Sequence, residues 1–526
     1  MSKHDQEIAA VLHRVAEQEK IPDFVMPTAA IRPRPRQSKR HWYRWASMSI
    51  ATAGAVLFAA GVGTYVSPDF SAQVKSLIGQ GVSNKTHPEG AAQAAQEKVR
   101  ALFGQGSLDK GIERATIEGH ARSVNASVTD QGITIEVQAI MADPTRVFVS
   151  YQIKKTDGTL IDPQEIRKNL EKVIALTDEK NQRLTSGVGG GGDRERHLGY
   201  LSFTLEDLDK RPVPDQMKLL IDVRKIGTIK GHWKLEVPFS MKEAIAATRI
   251  IPVDGRYTTP QGLQIALHTV TEAPSSTVLG IETKWDEGAK KRLSQYAREM
   301  TGKTQNPDYA PYVPYQQYRL EYRILDKNGN DVTAYKNEGQ GLEQGMLTEG
   351  RGSGDRYGHF TWNTAYVPFG ESGPFTFVLD AVHVTEPADL TFSFQPEKLA
   401  AEPKSVEYKG SLFTVKSLKA EDPRVRENST VLTVEAALRD ISSIEYVWWV
   451  ITDESGKSYP INGASYDSIG KDAQGREIMR FGLDVGEMEQ IPKRLTISLS
   501  AVTKRYADVD WSVELPVKQT SKTPEK

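Results

Sequence analysis

The chain of 526 residues contains no cysteine. Disulfide bonds, thiolate metal sites and a cysteine nucleophile are therefore excluded. An excess of charge of one sign is also absent, because the chain has 67 Lys and Arg residues and 68 Asp and Glu residues. Without a strongly basic domain the chain has no electrostatic footprint for nucleic acid, and we expect no direct nucleic-acid partner.

Complete catalytic and cofactor motifs are also lacking. The ten histidines are scattered, and no two of them stand four residues apart as the ligands of a helical zinc site do. The stretch Asp326 to Asn330 resembles the start of a calcium loop, but the later ligand positions do not match, so a hairpin turn is favoured. We therefore expect no enzyme, no metal and no cofactor.

What the chain does have is a long apolar run at residues 45–66 that holds no charged side chain. As a helix it would extend roughly 33 Å, which is enough to cross a bilayer core. A cleaved signal peptide is disfavoured, because more than forty residues precede the run and Phe70 occupies a position that needs a small residue. The sequence thus predicts a single transmembrane helix over 45–66.

The charges around this run predict its orientation. Six basic residues, with no acidic residue among them, precede it: Arg32, Arg34, Arg36, Lys39, Arg40 and Arg44. Positive flanks stay in the cytoplasm, so we expect a cytoplasmic N-terminus, an extracellular C-terminus and a location at the cell membrane, with the lipid bilayer as a partner. A large outer region without disulfides is typical of a Gram-positive bacterium.

The N-terminal tail carries an amphipathic pattern. Residues 3–20 predict a short helix, and apolar side chains lie on one of its faces and just beyond its end: Ile8, Val11, Leu12, Val15, Ile21 and Phe24. Such a stripe has no local core to cover, and it would suit a groove on a partner protein. A frayed tail or a helix lying on lipid is the alternative interpretation.

Small residues recur every four positions within the predicted span, at Ala51, Ala55, Ala59 and Gly63. Such a strip lets two membrane helices approach closely and would allow a homodimer through the span. Small residues are common in these helices in any case, so dimerisation is the weaker interpretation.

The remainder of the chain alternates apolar and polar residues and shows a weak repeat. The copies begin at Gly132, Gly262 and Gly410, and each ends in a strand-like segment before residue 240, 396 or 517. This pattern predicts a mainly β fold, with a short N-terminal helix, one transmembrane helix and tandem antiparallel Ig-like sandwiches. The predicted segments are a cytoplasmic tail 1–44, the span 45–66, a connector 67–115, sandwiches 116–240, 246–396 and 402–517, and a disordered tail 518–526. Within the first sandwich, Gly189 to Gly192 predict a flexible loop.

Five short stretches carry a resemblance to a known family: Ser67 to Phe70, Leu108 to Ile112, Glu118 to Gly119, Val124 to Ser127, and Asp130 to Thr134. They resemble single-pass membrane proteins of Gram-positive bacteria in which a domain of unassigned function is fused to Ig-like modules. Members are often found beside extracytoplasmic-function (ECF) sigma factors and are taken to be their anti-sigma regulators. The resemblance implies a sigma factor as the cytoplasmic partner. Because cysteine is absent, it implies binding without the zinc motif of one anti-sigma class.

Two functions from different classes follow as expectations. The first is a membrane-anchored anti-sigma factor, whose tail sequesters an ECF sigma factor and whose outer modules sense envelope state or a ligand. The alternative is a structural or adhesive surface protein that binds wall polymer or another protein. An extracellular hydrolase built from scattered loop residues is a third and less favoured expectation.

Overall fold

The structure is a computed structural model, and it describes residues 103, 109–166, 173–184, 188–193, 197–205, 212–301, 303–304, 310–338, 341–370, 373–420, 429–488 and 490–516. The first part of this region is a helix followed by short antiparallel strands. Its elements are α1 (Lys110–Ile117), β1 (Ala121–Asp130), β2 (Ile133–Ala142), β3 (Arg146–Lys155), β4 (Leu160–Ile161), β5 (Ile174–Asp178), β6 (Gly189–Asp193), β7 (Leu198–Thr204), β8 (Gln216–Ile226), β9 (Ile229–Ser240) and α2 (Lys242–Ala247).

These strands form the first β-sandwich. One sheet has the order β1-β2-β3-β7-β6, with β4 paired to β3, and the other has the order β5-β8-β9. Alternating side chains of both sheets, among them Val149 and Leu219, are buried in a common core. The Trp233 indole lies in this core and donates a hydrogen bond to the Ile133 carbonyl at 2.8 Å. Helix α1 packs on the other face of the larger sheet, where Ile112 contacts a second buried cluster.

The second sandwich follows directly. Its elements are β10 (Arg249–Thr258), β11 (Leu263–Glu272), β12 (Thr277–Trp285), α3 (Glu287–Thr301), α4 (Val313–Gln316), β13 (Tyr318–Leu325), β14 (Lys336–Glu338), β15 (Gly341–Gln344), β16 (Met346–Gly354), β17 (Phe360–Tyr366) and β18 (Phe375–Phe394). One sheet has the order β10-β11-β12-β17-β16, and β14 pairs only with β15 among the described strands. The facing sheet contains β13 and β18, and Phe377 and Leu379 of β18 are buried between the two sheets.

The last part of the described chain contains β19 (Lys404–Tyr408), β20 (Ser411–Ala420), β21 (Thr430–Leu438), β22 (Ile441–Ser443), β23 (Trp449–Asp453), β24 (Ser458–Tyr459), β25 (Gly463–Lys471), β26 (Glu477–Asp484), β27 (Leu495–Tyr506) and β28 (Trp511–Leu515). All of these strands except β28 contribute to the third sandwich. One sheet has the order β19-β20-β21-β26-β25. The facing sheet has the order β13-β18-β27-β23-β24, with β22 paired to β27 and β28 paired to β18.

The second and third sandwiches therefore share one seven-stranded sheet. Strand β18 is 20 residues long, and a bulge between Pro387 and Leu390 lets it continue from one core into the next. Its second half places Leu390 and Phe392 in the core of the third sandwich. In return, β28 pairs with the first half of β18 in the second sandwich, with Leu515 opposite Phe375. The predicted sandwich boundaries stay a prediction.

The weak repeat corresponds to a recurrent hairpin. Gly132, Gly262 and Gly410 have φ angles of 70°, 82° and 80°, and each lies at or next to the start of a strand, β2, β11 or β20. A residue with positive φ is needed in the tight turn that joins two such strands, and glycine adopts it without steric cost. The three copies thus begin with a hairpin whose last turn residue is a glycine of positive φ, although the turn at Gly262 is longer than the two-residue turns at Gly132 and Gly410.

The predicted fold class has to be corrected at the transmembrane helix. Among the described residues no helix is long and apolar enough to cross a membrane. The longest described helix, α3, has 15 residues and carries charges, and at about 1.5 Å per residue it is shorter than a bilayer core. The predicted fold class, which combined a transmembrane helix with the β modules, is therefore wrong. The mainly β character is retained, and residues 45–66 lie outside the described part of the chain.

Two smaller expectations have different outcomes. The flexible loop predicted at Gly189 to Gly192 is wrong, because these residues form edge strand β6 against β7. Backbone hydrogen bonding to a neighbouring strand has outweighed the weak strand propensity of glycine. The predicted N-terminal helix at residues 3–20 lies outside the described residues.

A buried polar cluster joins the first sandwich to the second. The guanidinium of Arg146 donates from Nε to the Ser275 hydroxyl at 2.9 Å and from Nη2 to the Ser275 carbonyl at 2.6 Å. The Ser275 N–H donates to Oδ2 of Asp143 at 2.7 Å. Because buried polar groups are costly without partners, these bonds favour one arrangement of the two sandwiches.

Candidate functional site

A pocket of about 280 Å³ lies at the shared sheet, where three chain segments converge. The segments are the β19–β20 turn, the β21–β22 turn and the end of β27. Four cationic side chains line it: Lys409, Arg439, Lys504 and Arg505. The remaining lining residues are Tyr408, Asp440, Ile441 and Tyr506, so the pocket has a single carboxylate in its wall.

Tight turns place the first two cations. Lys409 and Gly410 both have positive φ, of 48° and 80°, in the two-residue turn between Tyr408 and Ser411. Such turns match the twist of the strands that they join. At the second turn Asp440 also has positive φ, and its carbonyl accepts the N–H of Arg505 at 2.9 Å. The two turns are therefore anchored to strands of both sheets.

Carboxylates neutralise only two of the four cations. Lys504 lies 2.8 Å from Glu386, and Arg505 donates two hydrogen bonds of 2.8 Å to Glu321. Lys409 and Arg439 have no carboxylate at ion-pair distance among the described residues, and the Lys409 ammonium lies 4.9 Å from the centroid of the Tyr408 ring. Two cationic groups thus remain for an external anion, which could accept charge-assisted hydrogen bonds from them.

A row of paired residues supports Arg505 from behind. Arg319 of β13 lies opposite His383 of β18, which lies opposite Arg505 of β27. His383 Nε2 lies 2.8 Å from Oε2 of Glu321, the carboxylate that binds Arg505. Burial and then the positive charge of Arg319 lower the pKa of His383 to about 4, so this imidazole is neutral at pH 7.

Glu321 stays ionised for a complementary reason. The hydrogen bonds from Arg505, and also the one from His383, lower the pKa of Glu321 to about 2, although burial opposes the shift. Glu386, which pairs with Lys504, accepts a hydrogen bond from the Tyr506 hydroxyl. Burial and then the Glu386 carboxylate raise the pKa of Tyr506. Both acidic partners are therefore held in place by donors that keep their protons.

Ser442 extends this row into an arrangement with the composition of a hydrolase triad. Its hydroxyl lies 2.7 Å from Nδ1 of His383 and 3.2 Å from the Thr503 carbonyl. A nucleophile needs an adjacent space for substrate, and Ser442 does not line the pocket. We interpret the row as a support for Arg505, and the prediction that the chain is not an enzyme stays a prediction.

A second cluster of titratable groups lies on the sheet of the second sandwich. His268 and His359 both contact the carboxylate of Glu282, at 2.6 Å and 2.7 Å. They are 91 residues apart in sequence, so no motif could have paired them. Within the part of the chain that the structure describes, no group of three or more His, Asp or Glu side chains has the arrangement of a metal site.

The site residues predicted from the sequence lie elsewhere. Residues 8–24, with the apolar tail side chains, and residues 32–44, with the basic cluster, are outside the described residues, and their roles stay predictions. The location at the cell membrane and the homodimer also stay predictions. The pocket itself was missed, because Lys409, Arg439 and Arg505 come from three distant segments. The one local signal was Lys409-Gly410, which marks a tight turn.

Comparison with known proteins gives few matches. A solved structure, "The crystal structure of the conserved domain protein from Bacillus anthracis", is similar at a TM-score of 0.31 and 14% identity, over 61% of this chain and 92% of that chain. A likeness at that TM-score establishes neither fold nor function. No curated protein matches at a significant level. A family described as "Domain of unknown function (DUF4179)" matches residues 39–155, a stretch that ends with strand β3.

Proposed function

We propose that this protein is a ligand-responsive regulator. Its β-rich body binds a small anion in the pocket of the shared sheet, and its N-terminal tail holds an ECF sigma factor. The observation that carries the ligand-binding part is the pair of cations, Lys409 and Arg439, that lack a carboxylate partner among the described residues. Cationic groups in a concave site that have no carboxylate at ion-pair distance are suited to donate charge-assisted hydrogen bonds to an anion.

The position of the pocket supports a regulatory role. Its wall is built from strands and turns of the third sandwich, including β27, and its support, Glu321 and His383, belongs to strands of the second sandwich. An anion bound there would contact groups whose positions depend on both sandwiches. Binding can shift a conformational equilibrium only where the ligand contacts differ between two states. An anion at this junction would favour the state in which both sandwiches hold the pocket groups in place.

Calorimetry with inorganic phosphate tests the ligand-binding part on the full chain. Arg439→Gln should weaken phosphate binding by about tenfold, because one charge-assisted hydrogen-bonding group is lost. Arg256→Gln is a matched control, since Arg256 is an exposed arginine of strand β10 whose contact with Asp254 is long, at 3.4 Å. Equal phosphate binding by wild type and Arg439→Gln would reject the pocket as the site.

The sigma-factor part rests on the apolar stripe of the tail and on the family resemblance. Purification of the tagged full chain from its native host should recover a sigma factor, identified by mass spectrometry. Leu12→Asp should abolish recovery, because it places a charge on the apolar face. Glu17→Gln, on the polar face of the same predicted helix, should leave it unchanged. Failure of the wild-type chain to recover any sigma factor would reject this part.

A structural or adhesive surface protein is the second candidate function. The observation that favours it is strand β18, which runs through two cores and gives the second and third sandwiches one continuous shared sheet. A shared sheet suits a rigid, load-bearing body. Deletion of residues 1–30 separates the candidates, because it should change transcription for a regulator and leave it unchanged for an adhesive protein.

A further inference from the structure

The basic pocket has a neighbour that shares one of its walls. A second pocket of about 350 Å³ is lined by Arg439 and Arg476, together with Glu407, Gly410, Leu412 and Gln474. Arg439 lines both pockets, so the two lie side by side. We propose that they form one groove for a linear chain of phosphate groups, which spans Arg439 and places successive phosphates in the two pockets. This inference rests on the proposed anion-binding function.

The local structure holds Arg439 at the boundary between the pockets. Its backbone N–H donates to the Ser411 hydroxyl at 2.8 Å. Its side chain runs over Gly410, where an added Cβ would lie 2.9 Å from Cδ of Arg439. A side chain at 410 would shift this stem and would also be strained at a φ of 80°, which glycine adopts without cost. The shared wall is thus a built feature.

Arg476 is held on the other side of the same glycine. It donates from Nη1 to the Gly410 carbonyl at 2.9 Å and from Nε to Asp472 at 2.6 Å. These two bonds orient the guanidinium and leave Nη2 without a hydrogen bond to the described residues. A guanidinium fixed in this way loses little side-chain freedom when an anion binds to its remaining N–H groups.

The charges favour phosphate groups in succession over a single anion. The two pockets together present five cationic side chains and two carboxylates in their walls. Three of these cations, Lys504, Arg505 and Arg476, are paired with Glu386, Glu321 and Asp472, which lie outside the walls. One phosphate in the first pocket would leave Nη2 of Arg476, in the second pocket, unused. Arginine forks match the oxygens of phosphate in pairs, and lysine adds point charge. A chain of phosphates uses both kinds of group along the whole groove.

Calorimetry on the full chain tests the groove with three probes: inorganic phosphate, linear tripolyphosphate and poly-L-glutamate of matched charge. We expect tripolyphosphate to bind at least about tenfold more tightly than phosphate, since it adds charge-assisted bonds in the second pocket. Arg476→Gln should remove this gain and leave phosphate binding within about twofold, whereas Arg439→Gln should weaken both. Arg256→Gln should change neither, and circular dichroism should show that each variant is folded.

The outcomes separate this inference from the proposed function. Phosphate binding that Arg439→Gln weakens, together with tripolyphosphate binding no tighter than phosphate, would overturn the groove and leave the single-anion site standing. Binding of neither phosphate nor tripolyphosphate would overturn both. Equal binding of poly-L-glutamate and tripolyphosphate would overturn the assignment to phosphate. The groove would be supported if Arg476→Gln removes the tighter binding of tripolyphosphate and leaves phosphate binding unchanged.

Discussion

Asp109 and Arg146, which are 37 residues apart in sequence, form a buried bidentate ion pair in the first sandwich. Nη1 of Arg146 donates to Oδ2 of Asp109 at 2.8 Å, and Nη2 donates to Oδ1 at 2.7 Å. The same Oδ1 accepts the Ile112 N–H at the start of helix α1. Arg146 in turn binds Ser275 of the second sandwich. The Asp109 carboxylate therefore caps helix α1 and also holds Arg146, which contacts the second sandwich.

Removal of one partner of this pair should be strongly destabilising. Arg146→Met would leave the Asp109 carboxylate buried, with a side chain only 1% exposed, and we expect a loss of roughly 3–5 kcal/mol in the free energy of unfolding. Urea denaturation of the full chain measures it. Lys110→Gln is the nearby control: the pairs of Lys110 with Glu113 at 3.0 Å and Glu343 at 3.5 Å are partly exposed, so the substitution should cost at most about 1 kcal/mol. Equal effects of the two substitutions would contradict a special role for the buried pair.

Gly111 gives a second test of the same contact. A Cβ at Gly111 would lie 1.9 Å from the carbonyl oxygen of Ser275, so Gly111→Ala has to shift helix α1 or the Ser275 segment of the second sandwich. We expect a loss of about 1–3 kcal/mol by urea denaturation, as for an overpacked core. In helix α3, a Cβ at Gly288 meets only the side chain of Asp286, at 3.3 Å. Gly288→Ala should therefore range from neutral to about 1 kcal/mol more stable. A destabilising effect confined to Gly288→Ala would contradict this geometry.

The stability of the chain should depend on pH through His383. Its pKa is about 4 in the folded protein because burial and Arg319 disfavour the charged form, whereas its ordinary value is 6.5. Between these values the unfolded chain binds more protons, so stability falls as the pH falls from 6.5 towards 4. Over the full interval between the two pKa values, the free energy of unfolding falls by roughly 3 kcal/mol. Glu321, with a pKa of about 2, contributes a separate loss only below its ordinary pKa of 4.5.

His383→Gln should therefore flatten the fall in stability between pH 6.5 and 4.5. Thermal unfolding of the full chain, followed by circular dichroism across this range, measures the slope. His232→Gln, at an exposed histidine of strand β9, should retain the wild-type slope. The facing groups Arg319, Glu321 and Arg505 keep their charges throughout the range. A wild-type slope in His383→Gln would show that another group carries the dependence.

Local features of the fold could be predicted from the sequence, and long-range pairings could not. The glycines at 132, 262 and 410 mark hairpin turns because positive φ is a local requirement. Alternation also located strands such as β9 and β28, which begin near Trp233 and at Trp511. Segments 375–379 and 390–394 each alternate apolar and polar residues, and the sequence alone separates them into two strands, but the structure joins them through the bulge after Pro387 into β18.

The pocket depends on pairings that no local pattern contains. His383 lies opposite Arg505 only because β18 pairs with β27 in one particular register. A shift of one residue would move either side chain to the other face of the sheet. Arg439 and Lys409 approach this row through turns of a different sheet. The site could therefore be recognised only after the third sandwich had been assembled on the second.

The shared strand makes the second and third sandwiches interdependent, and fragments test this directly. A fragment 249–400 lacks β27 and β28, which pair with β18, and a fragment 401–516 lacks the β18 residues Leu390 and Phe392 that complete its core. We expect neither fragment to unfold cooperatively, because each exposes strand edges and part of a core. The two-sandwich fragment 249–516 contains every strand of the shared sheet and should unfold cooperatively. Near-UV circular dichroism measures folding in all three, through the buried Trp285 in 249–400, through Trp448 and Trp449 in 401–516, and through all three indoles in 249–516. Mixing the short fragments should restore the signal, whereas a native-like spectrum of 401–516 alone would mean that β18 is dispensable for the third core.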